Sequence, residues 1–189
     1  MRVSPLKAGH SKRIECNNNP VNFIDPLGLL EEIGGGEFYF LELDEGTLNE
    51  IYDAIVGYLR TDAGTYIKAW KNKSGNPKVD TDCHGLTFTR GKYWLNDKDN
   101  KDGFSQIEAI LRDEYLKVPD GKLPLPGDVA IFRNSEGDIV HSATVMVGGE
   151  NPWLYEISGQ QTDPKFQPLG ISSNFPPVFY HRHSSYLRP

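Results

Sequence analysis

The sequence predicts an α+β fold: helical periodicity in the first half, closely spaced strands in the second, and a hairpin linking two of those strands. Thr47-Leu48-Asn49-Glu50 is a capping box, and Leu48, Ile51, Tyr52, Ile55 and Leu59 follow at helical spacing, which predicts a helix to about Thr61. Residues 71–82 are polar and contain Gly75 and Pro77, so they read as a loop. Ser105-Gln106-Ile107-Glu108 is a second capping box, with Ile107, Ile110, Leu111 and Tyr115 behind it. A proline-rich turn from Pro119 to Pro126 leads into strands over Val129–Arg133 and Ile139–Val147, joined through Asn134-Ser135-Glu136-Gly137-Asp138. Trp153–Ser158 and Val178–His181 read as further strands. Helices first and an antiparallel sheet afterwards define the class.

Composition narrows the function. The 189 residues, 38% hydrophobic and 11% aromatic, suffice for one domain of ordinary size plus a short extra segment. No apolar run approaches the ~20 residues that span a bilayer. The basic start, Met1-Arg2-Val3-Ser4-Pro5-Leu6-Lys7, lacks the continuous apolar stretch of a signal peptide. A net charge of −6 argues against finding nucleic acid through a basic field. His181-Arg182-His183 and Arg188 are a local basic exception and read as a solvated C-terminal tail. The two cysteines, Cys16 and Cys83, lie in dissimilar surroundings and do not suggest a disulfide.

Cys83 carries the chemistry. Asp82-Cys83-His84-Gly85 follows the polar loop and precedes Leu86 and Phe88, so Cys83 falls where a helix can begin. A thiol of ordinary pKa, about 8.5, is mostly protonated at neutral pH, and a helix N-terminus or a neighbouring imidazolium favours its thiolate. The backbone N–H of Cys83 is then in position to meet a developing oxyanion, and Gly85 would let a substrate backbone come close. Downstream, Pro126-Gly127-Asp128 precedes a hydrophobic strand and His141 opens the next one. On that strand His141 shares a face with Ala143, Val145 and Val147, and the small Ala143 leaves room for another side chain. The bland alternatives are a buried structural cysteine and a histidine at a sheet edge.

Asp-Cys-x-Gly, then Pro-Gly-Asp before a strand, then a histidine, resembles the NlpC-type and CHAP-type peptidases of the papain-like superfamily, over about residues 80–158. The resemblance implies a papain-like cysteine peptidase fold, with N-terminal helices and the catalytic cysteine at a helix start packed on an antiparallel sheet. It makes Cys83 the nucleophile and His141 the general base. NlpC-type enzymes often place a histidine third, on the following strand, whereas other papain-like branches use Asn, Asp or Glu. Glu156 best fills that position here, because a carboxylate flanked by apolar residues in a strand is otherwise hard to justify; the alternative is that it points outward to solvent. Asp82, His84 and Gly85 are substrate or oxyanion candidates. His84 replaces the small residue usual in NlpC-type motifs and would tune the thiolate, contact substrate, or take no part. No Cys or His spacing suits zinc, and no phosphate-binding glycine loop is present, so neither metal nor cofactor is expected.

A second pattern lies near the start. In Asn18-Asn19-Pro20-Val21-Asn22-Phe23-Ile24-Asp25-Pro26-Leu27-Gly28-Leu29, the residues Pro20, Asp25, Pro26, Gly28 and Leu29 match the motif that ends the conserved core of Rhs-family polymorphic toxins. The resemblance implies cleavage after Leu29, with the toxin proper starting near Leu30. The residues before Asn18 do not read as shell repeats, so the chain reads as a displaced toxin tip with a core remnant over 1–29. A linker over 30–45, flexible at Gly34-Gly35-Gly36, would lead to a hydrolase domain over 46–189.

The two resemblances together imply an interbacterial toxin with cysteine peptidase activity, delivered into a target bacterium. Its expected partners are an intracellular protein substrate and a cognate immunity protein; nucleic acid and membrane are not expected, and the chain is expected to be a monomer. The alternatives are a periplasmic peptidoglycan stem-peptide hydrolase and a glutamine deamidase or transglutaminase. A further alternative is a non-enzymatic binding module using the aromatic-rich end from Phe175 to Tyr186.

Overall fold

The computed structural model of the chain describes residues 38–39, 54–72, 81–97, 104–157, 163–170 and 175–183. The Rhs-like motif at 18–29 and the first capping box at 47–50 lie outside these residues. Within them the fold is α+β, with two helices and two antiparallel sheets.

The three-stranded sheet runs in the order β1 (Phe38–Tyr39), β2 (Ala54–Arg60), β3 (Tyr66–Asn72). It corrects the helix expected through Thr61, since Ala54–Arg60 pairs with Tyr66–Asn72 along its whole length. Ile55 and Leu59 are spaced four apart, which suits a helix face and equally suits one side of a strand. The partner strand and the turn that closes at Thr61–Thr65 decide between the two. Lys71 and Asn72, expected in a loop, end β3, and β1 falls within the stretch expected to be a linker.

The six-stranded sheet has the order β4 (Tyr115–Lys117), β9 (Val178–Arg182), β5 (Val129–Arg133), β6 (Ile139–Val147), β7 (Trp153–Glu156), β8 (Lys165–Pro168). Strands β5 and β6 have the expected bounds, while β4 and β8 were not foreseen. Helix α1 (Cys83–Thr89) packs on β6 and touches β7. Helix α2 (Gln106–Glu114) starts at the expected cap, where the Ser105 hydroxyl accepts from the Glu108 N–H at 3.0 Å.

The main core gathers Leu59 and Ile67 from the small sheet, Phe88 from α1, Ile107, Ile110 and Leu111 from α2, and Val129 and Ile131 from β5. A second cluster joins Ala130, Phe132, Ala143, Val145 and Leu154. Val147, expected on the face of Ala143 and Val145, is instead 46% exposed, because the β6–β7 register shifts between Val145 and Val147.

Of the C-terminal basic cluster expected as a solvated tail, Arg188 lies outside the described residues, while Arg182 is buried and the half-exposed His181 is paired. Arg182 is buried, with its guanidinium 3.2 Å from the Glu114 carboxylate, and His181 Nδ1 lies 2.5 Å from Asp128 Oδ1. A buried arginine needs a carboxylate partner, and α2 supplies one from 68 residues away in sequence.

Candidate active site

Helix α1 begins at Cys83 because Asp82 caps it. The Asp82 backbone is extended, and its carboxylate accepts from the Gly85 N–H at 2.6 Å and from the Leu95 N–H at 3.1 Å. The second bond ties the helix start to the segment that follows the helix. Thr81 adds to that tie, donating its hydroxyl to the Tyr93 carbonyl at 2.8 Å.

Gly85 faces inward rather than toward a substrate. A Cβ there would come within 1.9 Å of the Tyr93 carbonyl oxygen and 2.2 Å of Thr81 Oγ1. The glycine is needed for close packing of helix against loop, a different reason from the one its position in the sequence suggests.

His84 is buried and holds the helix to β6. Its Nδ1 lies 2.9 Å from Ser142 Oγ, which lies 3.1 Å from Thr87 Oγ1, and the Thr87 hydroxyl donates to the Cys83 carbonyl at 2.9 Å. The Ser142 hydroxyl also lies 3.3 Å from the Cys83 carbonyl; with its one proton given to Thr87 or to that carbonyl, its oxygen accepts from His84 Nδ1–H. Burial, with the nearby His141 as a lesser cause, lowers the His84 pKa to about 3, so the ring is neutral at physiological pH.

Strands β6 and β7 supply the next two residues. His141 Nε2 stands 2.6 Å from Glu156 Oε2, and the Glu156 side chain is fully buried while that of His141 keeps 16% of its exposure. Continuing the β6–β7 register one pair beyond Thr144–Tyr155 places Glu156 opposite Ala143, and the small alanine leaves the space the carboxylate needs. Glu156 therefore points inward, and the solvent-facing alternative is set aside. Its second oxygen, Oε1, accepts from Gln167 Nε2 on β8. An ionised carboxylate only accepts, so opposite an ionised Glu156 the Nε2 of His141 is the donor, and in a neutral ring the lone pair is then on Nδ1. The Phe132 ring lies against the imidazole, with centroids 5.3 Å apart.

Cys83 and His141 line one cavity of about 510 Å³, together with Asp82, His84, Trp94, Asn134, Asp138 and Ile157, among others. Burial, and then the Asp82 carboxylate, push the Cys83 thiol up to about 12, while the backbone N–H groups of Ser142, His84 and Cys83 itself favour the thiolate. Ser142, the residue next to His141, also reaches the Cys83 carbonyl with its hydroxyl at 3.3 Å, which ties the cysteine to the imidazole-bearing strand. Burial also raises Asp82 to about 7, against the backbone N–H groups of Gly85, Leu95 and Asp82 itself. The resting thiol is thus neutral, and attack requires a base at hand.

The structure thus brings Cys83 and His141 to one cavity that Asp82 and His84 also line, with Glu156 bonded to His141 outside the lining and Gly85 packed inward. Sequence reasoning missed Ser142 and Gln167. Ser142 was traceable as one of three polar residues, with His141 and Thr144, in the otherwise apolar run of β6, whereas Gln167 sits in a strand that itself gave little signal. Among the described residues, no group of three His, Cys, Asp or Glu side chains is arranged to hold a metal ion. Among them also, no helix is long and apolar enough to cross a membrane. The chain matches no protein-family model, no curated protein and no solved structure.

Proposed function

We propose that this chain is a cysteine hydrolase of papain-like type that acts as the toxic tip of an interbacterial effector. The observation that carries the reading is a cysteine at a helix start sharing one cavity with an imidazole whose far nitrogen is bound by a buried carboxylate. A nucleophile, a base and a group orienting the base are the parts that acyl transfer to a thiol requires.

In this mechanism His141 Nδ1 takes the Cys83 proton as sulfur attacks the substrate carbonyl. Because the thiol is neutral at rest, transfer and attack go together rather than starting from a stored thiolate. Glu156 steadies the imidazolium that results. The Cys83 N–H, in the first turn of α1, meets the oxyanion of the tetrahedral intermediate. His141 then returns the proton to the leaving amine, and water, deprotonated by the same imidazole, releases the acyl group and restores the thiol.

The toxin role draws its support from the Rhs-like residues Pro20, Asp25, Pro26, Gly28 and Leu29, and the substrate proposed is a protein in the cytoplasm of the target cell. The test is growth of a susceptible bacterium after induction of the full chain, wild type or Cys83→Ala, with and without an export signal. Cysteine-dependent arrest without export is expected. Lysis only after export would move the substrate to peptidoglycan. Arrest with target proteins intact but about one dalton heavier would indicate deamidation. Equal toxicity of the Cys83→Ala chain would refute the hydrolase and favour a binding module.

A further inference from the structure

Glu156 can orient His141 only if its own carboxylate is held. The last torsion of a glutamate side chain is broad and roughly twofold, so the plane of its carboxylate is set by the groups that bind its two oxygens. Gln167 binds one of those oxygens. It lies directly across from Leu154 on the β7–β8 ladder, and Glu156 lies two residues beyond Leu154 on the same face. From there the Gln167 amide nitrogen donates to Oε1 while His141 occupies Oε2. Two donors on two oxygens fix the plane of a carboxylate that has no exposure to water.

We propose that Gln167 is a positioning residue of this site, acting on His141 through Glu156. The inference rests on the reading of Cys83 as nucleophile and His141 as base. The chemistry of the amide suits the role. It satisfies a buried oxygen without a charge, so the full negative charge of Glu156 remains available to the imidazolium formed during attack. A lysine or arginine in its place would compete with His141 for that charge. Lys165, the register partner of Glu156, is exposed, so the neutral amide is the donor that reaches the carboxylate.

The relay can be tested without knowing the substrate, by the rate at which iodoacetamide alkylates Cys83 in the full chain. Cys16→Ser serves as background, intact mass as readout, and the rates are taken across a pH series. Gln167→Leu is expected to alkylate about tenfold more slowly or worse, in line with the loss of other residues that orient a catalytic ligand through hydrogen bonds. Gln167→Glu keeps the shape but sets a second carboxylate against Glu156, and two such groups share a proton once the pH falls. Its rate relative to wild type at the same pH is therefore expected to rise as the solution is acidified. A packing role predicts a ratio that does not change with pH, so a flat ratio overturns the proposal even if Gln167→Leu fails to fold. Wild-type rates in a folded Gln167→Leu chain overturn it as well. If His141→Ala alkylates as fast as wild type, the base itself is misassigned and the inference falls with it. A slow His141→Ala beside a fast Gln167→Leu refutes the role of Gln167 alone.

Discussion

His141 and Glu156 are 15 residues apart in sequence, yet Nε2 of one stands 2.6 Å from Oε2 of the other, on neighbouring strands. The pair defines the tautomer of the imidazole, and most of the proposed chemistry depends on that tautomer. A neutral ring protonated at Nε2 presents a lone pair at Nδ1, the nitrogen left to serve the thiol.

Glu156→Gln tests this dependence. The amide has the same shape but can present N–H to the imidazole, which permits the wrong tautomer. Activity is expected to fall by roughly 10²–10⁴-fold, the upper figure being that of the analogous aspartate-to-asparagine change in the serine-protease triad. The fold should survive, as judged by circular dichroism.

Gly85→Ala tests the inward packing of α1. The added methyl would meet backbone oxygen at 1.9 Å, an atom that cannot swing aside as a flexible side chain can. A loss of about 1–3 kcal/mol or more is expected, measured by urea unfolding. A neutral effect would show that Gly85 has space around it after all.

His84 and Asp82 act oppositely on stability as pH changes. The folded-state pKa of His84 is lowered to about 3, so its contribution is full above the unfolded value near 6.5 and is lost as the pH falls toward 3. That of Asp82 is raised to about 7, so its contribution is full below the unfolded value of 3.8 and is lost as the pH rises through 7. Between roughly pH 4 and 6.5 the two slopes are of opposite sign and offset one another. His84→Asn should remove the His84 slope, so that on acidification from pH 6.5 to 4 the variant gains stability relative to the wild type. Unfolding free energies at several pH values would check this.

Asp82→Asn should leave the helix cap in place, because the amide oxygen can still accept from Gly85. It also removes the carboxylate charge that helps hold the Cys83 pKa high. The thiol of the variant is therefore expected to titrate below that of the wild type, as followed by thiolate ultraviolet absorbance.

The site was more legible in the sequence than the scaffold around it. Cys83 after a polar loop announced a helix start, though the cap at Asp82 was not read, and Glu156 stood between Tyr155 and Ile157 where a charge needs an inward reason. Strands β5 and β6 were readable because a polar turn separates two apolar runs. Leu59 was not readable, since its spacing from Ile55 satisfies both helix and strand, and only pairing with β3 decides. Arg182 looked solvated because its partner Glu114 lies on another element. Strand β8 is four residues long and ends in proline, which an edge strand tolerates but which weakens its signal. The register that brings Gln167 near Glu156 exists only after the sheet has formed.

The rate of Cys83 alkylation by iodoacetamide at neutral pH, in wild type and His141→Ala chains carrying Cys16→Ser, tests the central claim most directly. A thiol held near 12 reacts slowly unless a base assists it, so the account predicts a fall of at least about tenfold when His141 is removed. Equal rates in two folded proteins would mean that His141 does not serve Cys83, and the proposed hydrolase would be contradicted.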